Sequence, residues 1–157
     1  MTTRVVYYRT GYRHQLAEDF EIYVASAGIF PTEPGGNEYV QLTIDGRLMI
    51  SKGYAWDGAS GPAINTTSFV RPSLVHDALY QLIRLGVVPR ECRAASDKLL
   101  GHMLREDSLV IANRQPWFAR WPLTIVAYVR PVWVEAAVRI GGGIAMDHHS
   151  DDILTAP

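Results

Sequence analysis

The segment "SLVHDALYQLI", Ser73 to Ile83, sets a histidine and an aspartate side by side in an otherwise apolar, helix-like stretch. His76 and Tyr80 are four residues apart, so on a helix they share a face. Asp77 is turned about 100° from His76 by the helical repeat. Further along, "AASDKLLG" places Asp97 among Ala94, Ala95 and Gly101, small residues that let another helix come close. These residue types suit one kind of chemistry. A carboxylate bonded to one imidazole nitrogen fixes the tautomer and stabilises the imidazolium as the other nitrogen takes a proton. His76 is then expected to be a general base acting on water, with Asp97 as its orienting partner. Tyr80 would hold the aspartate through its hydroxyl, leaving Asp77 for a metal. The same four groups also suit a satisfied polar network that fixes how two helices pack.

Upstream, "YAWDGASGP" gathers Asp57, Gly58, Ser60 and Gly61 in one compact turn. Glycines let the backbone turn inward without a Cβ clash. Calcium takes its oxygens from carboxylates, carbonyls and water. Asp57 and Asp77 are therefore the expected metal carboxylates, and calcium the expected ion. The alternative is that Asp57 and Ser60 only tighten the turn. Zinc is less natural, because the set offers a single histidine. Ser60 as a nucleophile is a poorer fit, since "GASGP" lacks the G-x-S-x-G elbow.

These residues need elements to position them. "RPSLVHDALYQLIRLG" reads as a helix with Pro72 near its start and Gly86 just past its end. "VPRECRAASDKLLGHMLRED" opens a second helix at Pro89, and the short link predicts an antiparallel hairpin. A third helical region is expected from Trp117 to Ile140, kinked or broken at Pro122 and Pro131 and ended by Gly141 to Gly143. The first third differs in character. "RVVYY", "FEIYV", "EYVQLTI" and "RLMISKGYAW" read as strands, with "RTGYRH", "FPTEPGGN" and Asp45-Gly46 as turns. Asp45-Gly46 predicts a two-residue hairpin turn with positive φ at both positions. The fold class is α+β: an N-terminal antiparallel β meander, a helix hairpin, and a C-terminal proline-kinked helical region. Residues 1–142 are expected to form one domain, with 143–157 as a polar tail.

The bulk numbers suit a domain of this kind. The chain has 157 residues, 48% hydrophobic and 20% charged, enough for a real core. A net charge of -1 gives no reason to expect nucleic acid as a partner. One cysteine, Cys92, excludes an internal disulfide framework and reads as a small core residue. A fold without such staples suits a reducing cytoplasm or a particle assembled there, and the N-terminal sequence lacks the apolar run of a signal peptide. Trp117 to Val138 is the longest apolar region. Arg120, Arg130 and two prolines make it a poor membrane span. Its mixture of Trp and Arg suits either a helix covering the core or an interfacial, partner-binding one. "DHHSDD", Asp147 to Asp152, reads as a solvated tail, with metal binding as the alternative.

Two family resemblances attach to these motifs. Gly53-Tyr54-Ala55-Trp56-Asp57-Gly58-Ala59-Ser60-Gly61-Pro62, then His76-Asp77-Ala78-Leu79-Tyr80, then Arg93-Ala94-Ala95-Ser96-Asp97 resemble an uncharacterised domain family of tailed phages and prophages. That pattern is G-x-x-x-D-x-A-S-x-P, H-D-x-x-Y and R-x-x-A-D, with Ser96 where the family usually has Ala. The resemblance covers roughly residues 50 to 105 and implies a phage or prophage origin, with virion or tail proteins as partners. It implies no activity.

The H-D-x-x-Y helix, preceded by a glycine-rich loop, is also similar to secreted phospholipases of the A-two class. There, by resemblance, His76 looks like the base, Asp77 like the calcium carboxylate, Tyr80 like the supporting tyrosine and Asp97 like the orienting aspartate. A lipid or ester substrate is implied. The departures are Val75 where a cysteine usually precedes the motif, and "WDGASGP" in place of the cysteine-bearing calcium loop. The expectations are thus a calcium-dependent ester hydrolase, or a virion-associated accessory protein that uses the same residues as a rigid network.

Overall fold

The structure is a computed structural model that describes residues 8–9, 14–58 and 67–147. Within them, antiparallel strands come first and helices second, the expected α+β order. The strands are β1 (Tyr8–Arg9), β2 (His14–Leu16), β3 (Phe20–Tyr23), β4 (Gly35–Gly36), β5 (Val40–Leu42), β6 (Arg47–Ile50) and β7 (Ala55–Trp56). The helices are α1 (Thr67–Arg84), α2 (Arg93–Asn113) and α3 (Trp117–Asp147).

The strands form two sheets, β1-β2-β7 and β3-β6-β5-β4. Side chains alternate with the two-residue period of a pleated strand. Phe20 and Ile22 point into the core beside Leu48 and Ile50, while Glu21 and Tyr23 face outward. The longest strand expected, residues 47–56, is split. Gly53, at φ +95, bends the chain so that it leaves β6 and pairs with Leu16 at the start of β7. Two segments read as turns feed short strands instead: "RTGYRH" supplies His14, the first residue of β2, and "FPTEPGGN" holds β4. Most of "RVVYY" lies outside the described residues.

The Asp45-Gly46 hairpin forms between β5 and β6, with a different turn from the one expected. Only Gly46 has positive φ, at +79, and Gly46 N–H donates to the Thr43 carbonyl at 2.9 Å. This is a type I turn closed by a left-handed glycine, a three-residue hairpin loop. Asp45 therefore needs no unusual backbone, and its carboxylate accepts a bond from the Thr43 hydroxyl.

α1 lies between the sheets and the other helices, which is why polar residues on it are buried. Leu74, Val75, Ala78, Leu79 and Leu82 join the sheet residues in the main core. Phe69 instead packs with Leu100, Leu104 and Val134 of α2 and α3. The helix starts at Thr67, earlier than expected, so Pro72 sits inside it and forfeits one backbone donor. Its end is as expected. Val87 N–H bonds the Leu82 carbonyl, Gly86 N–H bonds that of Ile83, and Gly86 has φ +73, a Schellman cap.

The α1–α2 hairpin is antiparallel, since contacts pair Arg71 with Asp107, His76 with Asp97 and Tyr80 with Arg93. Arg71 is buried and grips Asp107 with two nitrogens, at 2.7 and 2.9 Å. α3 runs back along α2. A Cβ on Gly101 would meet Glu135 Oε2 at 3.3 Å and the Pro131 carbonyl at 3.7 Å, so the small residue after Asp97 admits α3 rather than α1. α3 continues through Pro122, Pro131 and all three glycines at 141–143 to Asp147. Glycine weakens a helix by about 1 kcal/mol relative to alanine but keeps its N–H, so the triplet does not end the helix.

Candidate functional site

Helical spacing brings the expected residues together. His76 and Tyr80 meet one turn apart on α1, their rings tilted by 36° with centroids 4.1 Å apart. Both reach the same atom on α2. His76 Nε2 lies 3.0 Å from Asp97 Oδ1, and the Tyr80 hydroxyl donates to that oxygen at 2.6 Å. The expected contact between Asp97 and His76 is therefore present. Asp97 is fully buried, and its second oxygen, Oδ2, has no hydrogen-bond partner among the described residues. Buried polar atoms are paired in most proteins, so a lone carboxylate oxygen beside a histidine is unusual.

Asp77 lies at the other end of the imidazole. Its Oδ1 is 3.5 Å from His76 Nδ1, and its side chain is 30% exposed against 9% for His76. The histidine thus stands between a buried carboxylate and a half-exposed one. Burial alone pulls its pKa down, but hydrogen bonds and charge from Asp77 and Asp97 outweigh this and raise it. For Asp97, burial pushes the carboxyl up, and bonds from His76 and Tyr80 with the His76 and Arg93 charges bring it below its usual value. Burial and the bond to Asp97 push the Tyr80 hydroxyl up to about 12, so it remains a donor.

One motif residue, Arg93, takes a part not assigned to it from the sequence, and one further contributor, His14, was not singled out at all. Arg93 Nε donates to the Tyr80 hydroxyl at 3.2 Å, extending the chain to Arg93–Tyr80–Asp97–His76–Asp77. Its place at the head of the R-x-x-A-D motif, four residues before Asp97, was the available signal. His14 was hidden in a segment read as a turn. It stacks on Trp56 with centroids 5.1 Å apart, and Trp56 is held by an indole bond of 3.0 Å to the Ser73 hydroxyl. Burial lowers the His14 pKa, and the Asp77 charge partly opposes this. Asp77 also helps burial raise the Tyr54 hydroxyl, so its charge is felt by both His14 and Tyr54.

The metal residues are less assembled. Asp57 is exposed just after β7, and among the described residues no group of three or more His, Cys, Asp or Glu could hold a metal ion. Ser60 and Gly61 lie outside the described residues, as does the tail from His148 onward. Cys92 is half-buried at the start of α2 and packs against the core.

No family model matches the chain, and no curated protein or solved structure matches it either. The functional reading therefore rests on the residues and their geometry.

Proposed function

We propose that this is a phage- or prophage-type protein carrying a phospholipase-like hydrolytic site, with His76 as the base that activates water. The observation that carries the reading is the order Tyr80–Asp97–His76–Asp77. Asp97 takes Nε2, so Nδ1 is the nitrogen left on the side of the half-exposed carboxylate. Water attacking an ester carbonyl gives its proton to Nδ1, Asp97 steadies the resulting imidazolium, and that proton passes to the leaving alkoxide as the acyl C–O bond breaks, releasing acid and alcohol. Tyr80 and Arg93 hold Asp97 in place. The raised pKa of His76 means that the neutral, proton-accepting form grows as pH rises through that value. Turnover therefore increases toward alkaline pH.

Asp77 and Asp57 are the carboxylates proposed for calcium. Asp77 fits the part, being a half-exposed oxygen donor beside the base. The rest of the coordination falls to Asp57, backbone carbonyls and water. A bound calcium ion would polarise the ester carbonyl.

A second reading is an accessory protein of the phage particle, with the same residues acting as a rigid seam. It is favoured by the burial of His76, only 8% exposed, with a carboxylate at each nitrogen. Calorimetric titration of calcium into wild type, Asp77→Asn and Asp57→Asn separates the two. Saturable binding that Asp77→Asn abolishes supports the hydrolase. Silence at millimolar calcium leaves the seam.

A further inference from the structure

α3 presents two unlike faces. Ala127, Pro131 and Val134 are buried against the bundle. The opposite side is apolar and uncovered among the described residues. Trp117, Phe118 and Trp121 are 79%, 68% and 75% exposed, followed by Ile125, Val129 and Val132 at 56%, 60% and 62%. An exposed apolar face of this length marks an interaction surface.

The charges on this segment identify the partner. From Ser108 to Val134 the only charged residues are Arg114, Arg120 and Arg130; Asp107 and Glu135 bracket the run. The chain as a whole carries -1, yet this stretch is locally basic: Arg114 and Arg120 are exposed at the Trp117 end, along the edge of the face, while Arg130 turns to Ser68 and Phe69 on α1. A second copy packed on this face would bring no acid to meet Arg114 and Arg120, since none lies between Asp107 and Glu135. Anionic lipid headgroups meet both needs, since Trp and Tyr settle at the boundary of the hydrocarbon and arginine binds the phosphates. No described helix is long and apolar enough to cross a membrane, and one side of α3 is occupied by α2. The helix can lie on a bilayer without spanning it.

We propose that the outer face of α3, led by Trp117, Phe118 and Trp121 with Arg114 and Arg120, docks the protein on an anionic lipid surface. This does not rest on the hydrolase reading, and either can fail alone.

The test is flotation of the full chain with phosphatidylcholine vesicles, with and without phosphatidylglycerol, alongside tryptophan emission. Binding to the anionic vesicles with a blue shift is expected, at least about tenfold stronger than to neutral ones and weakened by salt. Trp117→Ala with Trp121→Ala, and separately Arg120→Glu, should each lower partitioning about tenfold or more. Ile44→Ala, at an exposed position on the β5–β6 turn, should leave it unchanged. Equal or absent binding to the two vesicle types, or α3 variants that partition like wild type, overturns the proposal. So does a dimer in sedimentation that the tryptophan variants dissociate, because the face would then be covered by a second copy.

Discussion

His76 and Asp97, twenty-one residues apart in sequence, meet at 3.0 Å in the seam between α1 and α2. Asp97 is fully buried there, so the bond is shielded from solvent. Removing one partner of such a pair leaves the other's charge stranded. Asp97→Ala is expected to lower unfolding free energy by about 3–5 kcal/mol. Tyr80→Phe, which loses one hydrogen bond, should cost only about 1 kcal/mol. Urea unfolding of the two variants checks the ratio.

The same pair sets how stability depends on pH. His76 has its pKa raised on folding, so its contribution is complete below its unfolded value of 6.5 and is lost as pH climbs through the folded value. Asp97 has its pKa lowered, so its contribution is complete above 3.8 and is lost as pH falls through the folded value. Stability should be greatest between these limits and decline on both sides. Denaturant midpoints from pH 3 to 9 test this (a range chosen to bracket those reference values). His76→Gln should flatten the alkaline decline while leaving other groups' acid losses in place.

Gly46 offers a backbone test. It has φ +79, and an added Cβ would fall 2.7 Å from the Ala25 Cβ, so Gly46→Ala meets both strain and a clash. A loss of about 2 kcal/mol or more is expected. Gly28, at φ +73 with nothing within 4 Å, meets strain alone, and Gly28→Ala should cost about 1 kcal/mol. Thermal unfolding of the two variants side by side gives the difference.

The buried guanidinium of Arg71 makes a third stability site. It locks α1 to α2 through Asp107, and Glu106 is 3.5 Å away. Arg71→Ala should cost about 3 kcal/mol, whereas Arg71→Met, which refills the space, should cost less. Chemical denaturation of the two variants distinguishes lost charge pairing from lost packing.

Helix spacing made the central cluster legible before the fold was known. His76 and Tyr80 at i and i+4 had to share a face, and an antiparallel hairpin had to bring α2 across it. The Schellman end at Gly86 followed from the same reading. What escaped was set by tertiary contact. β2 and β4 are only three and two residues long, too short for a periodic pattern, and they exist because β7 and β5 pair with them. His14 was lost with β2. Pro72 looked like a helix start because proline favours the first turn, yet burial on both sides of α1 holds an earlier start. The asymmetry of α3 was also invisible, since its residues are apolar nearly all round and only the packing on α2 reveals which side is left over.

The central claim is that His76 is a working base, and turnover tests it most directly. A short-chain phosphatidylcholine kept below its micelle concentration, with calcium present, removes any need for docking by α3. Release of fatty acid is to be followed for wild type, His76→Ala and Asp97→Asn, each first shown to be folded. The account predicts release by wild type that rises with pH, reduced about a thousandfold in His76→Ala and about a hundredfold in Asp97→Asn. Release by folded His76→Ala at the wild-type rate, or none above background from wild type, would contradict it.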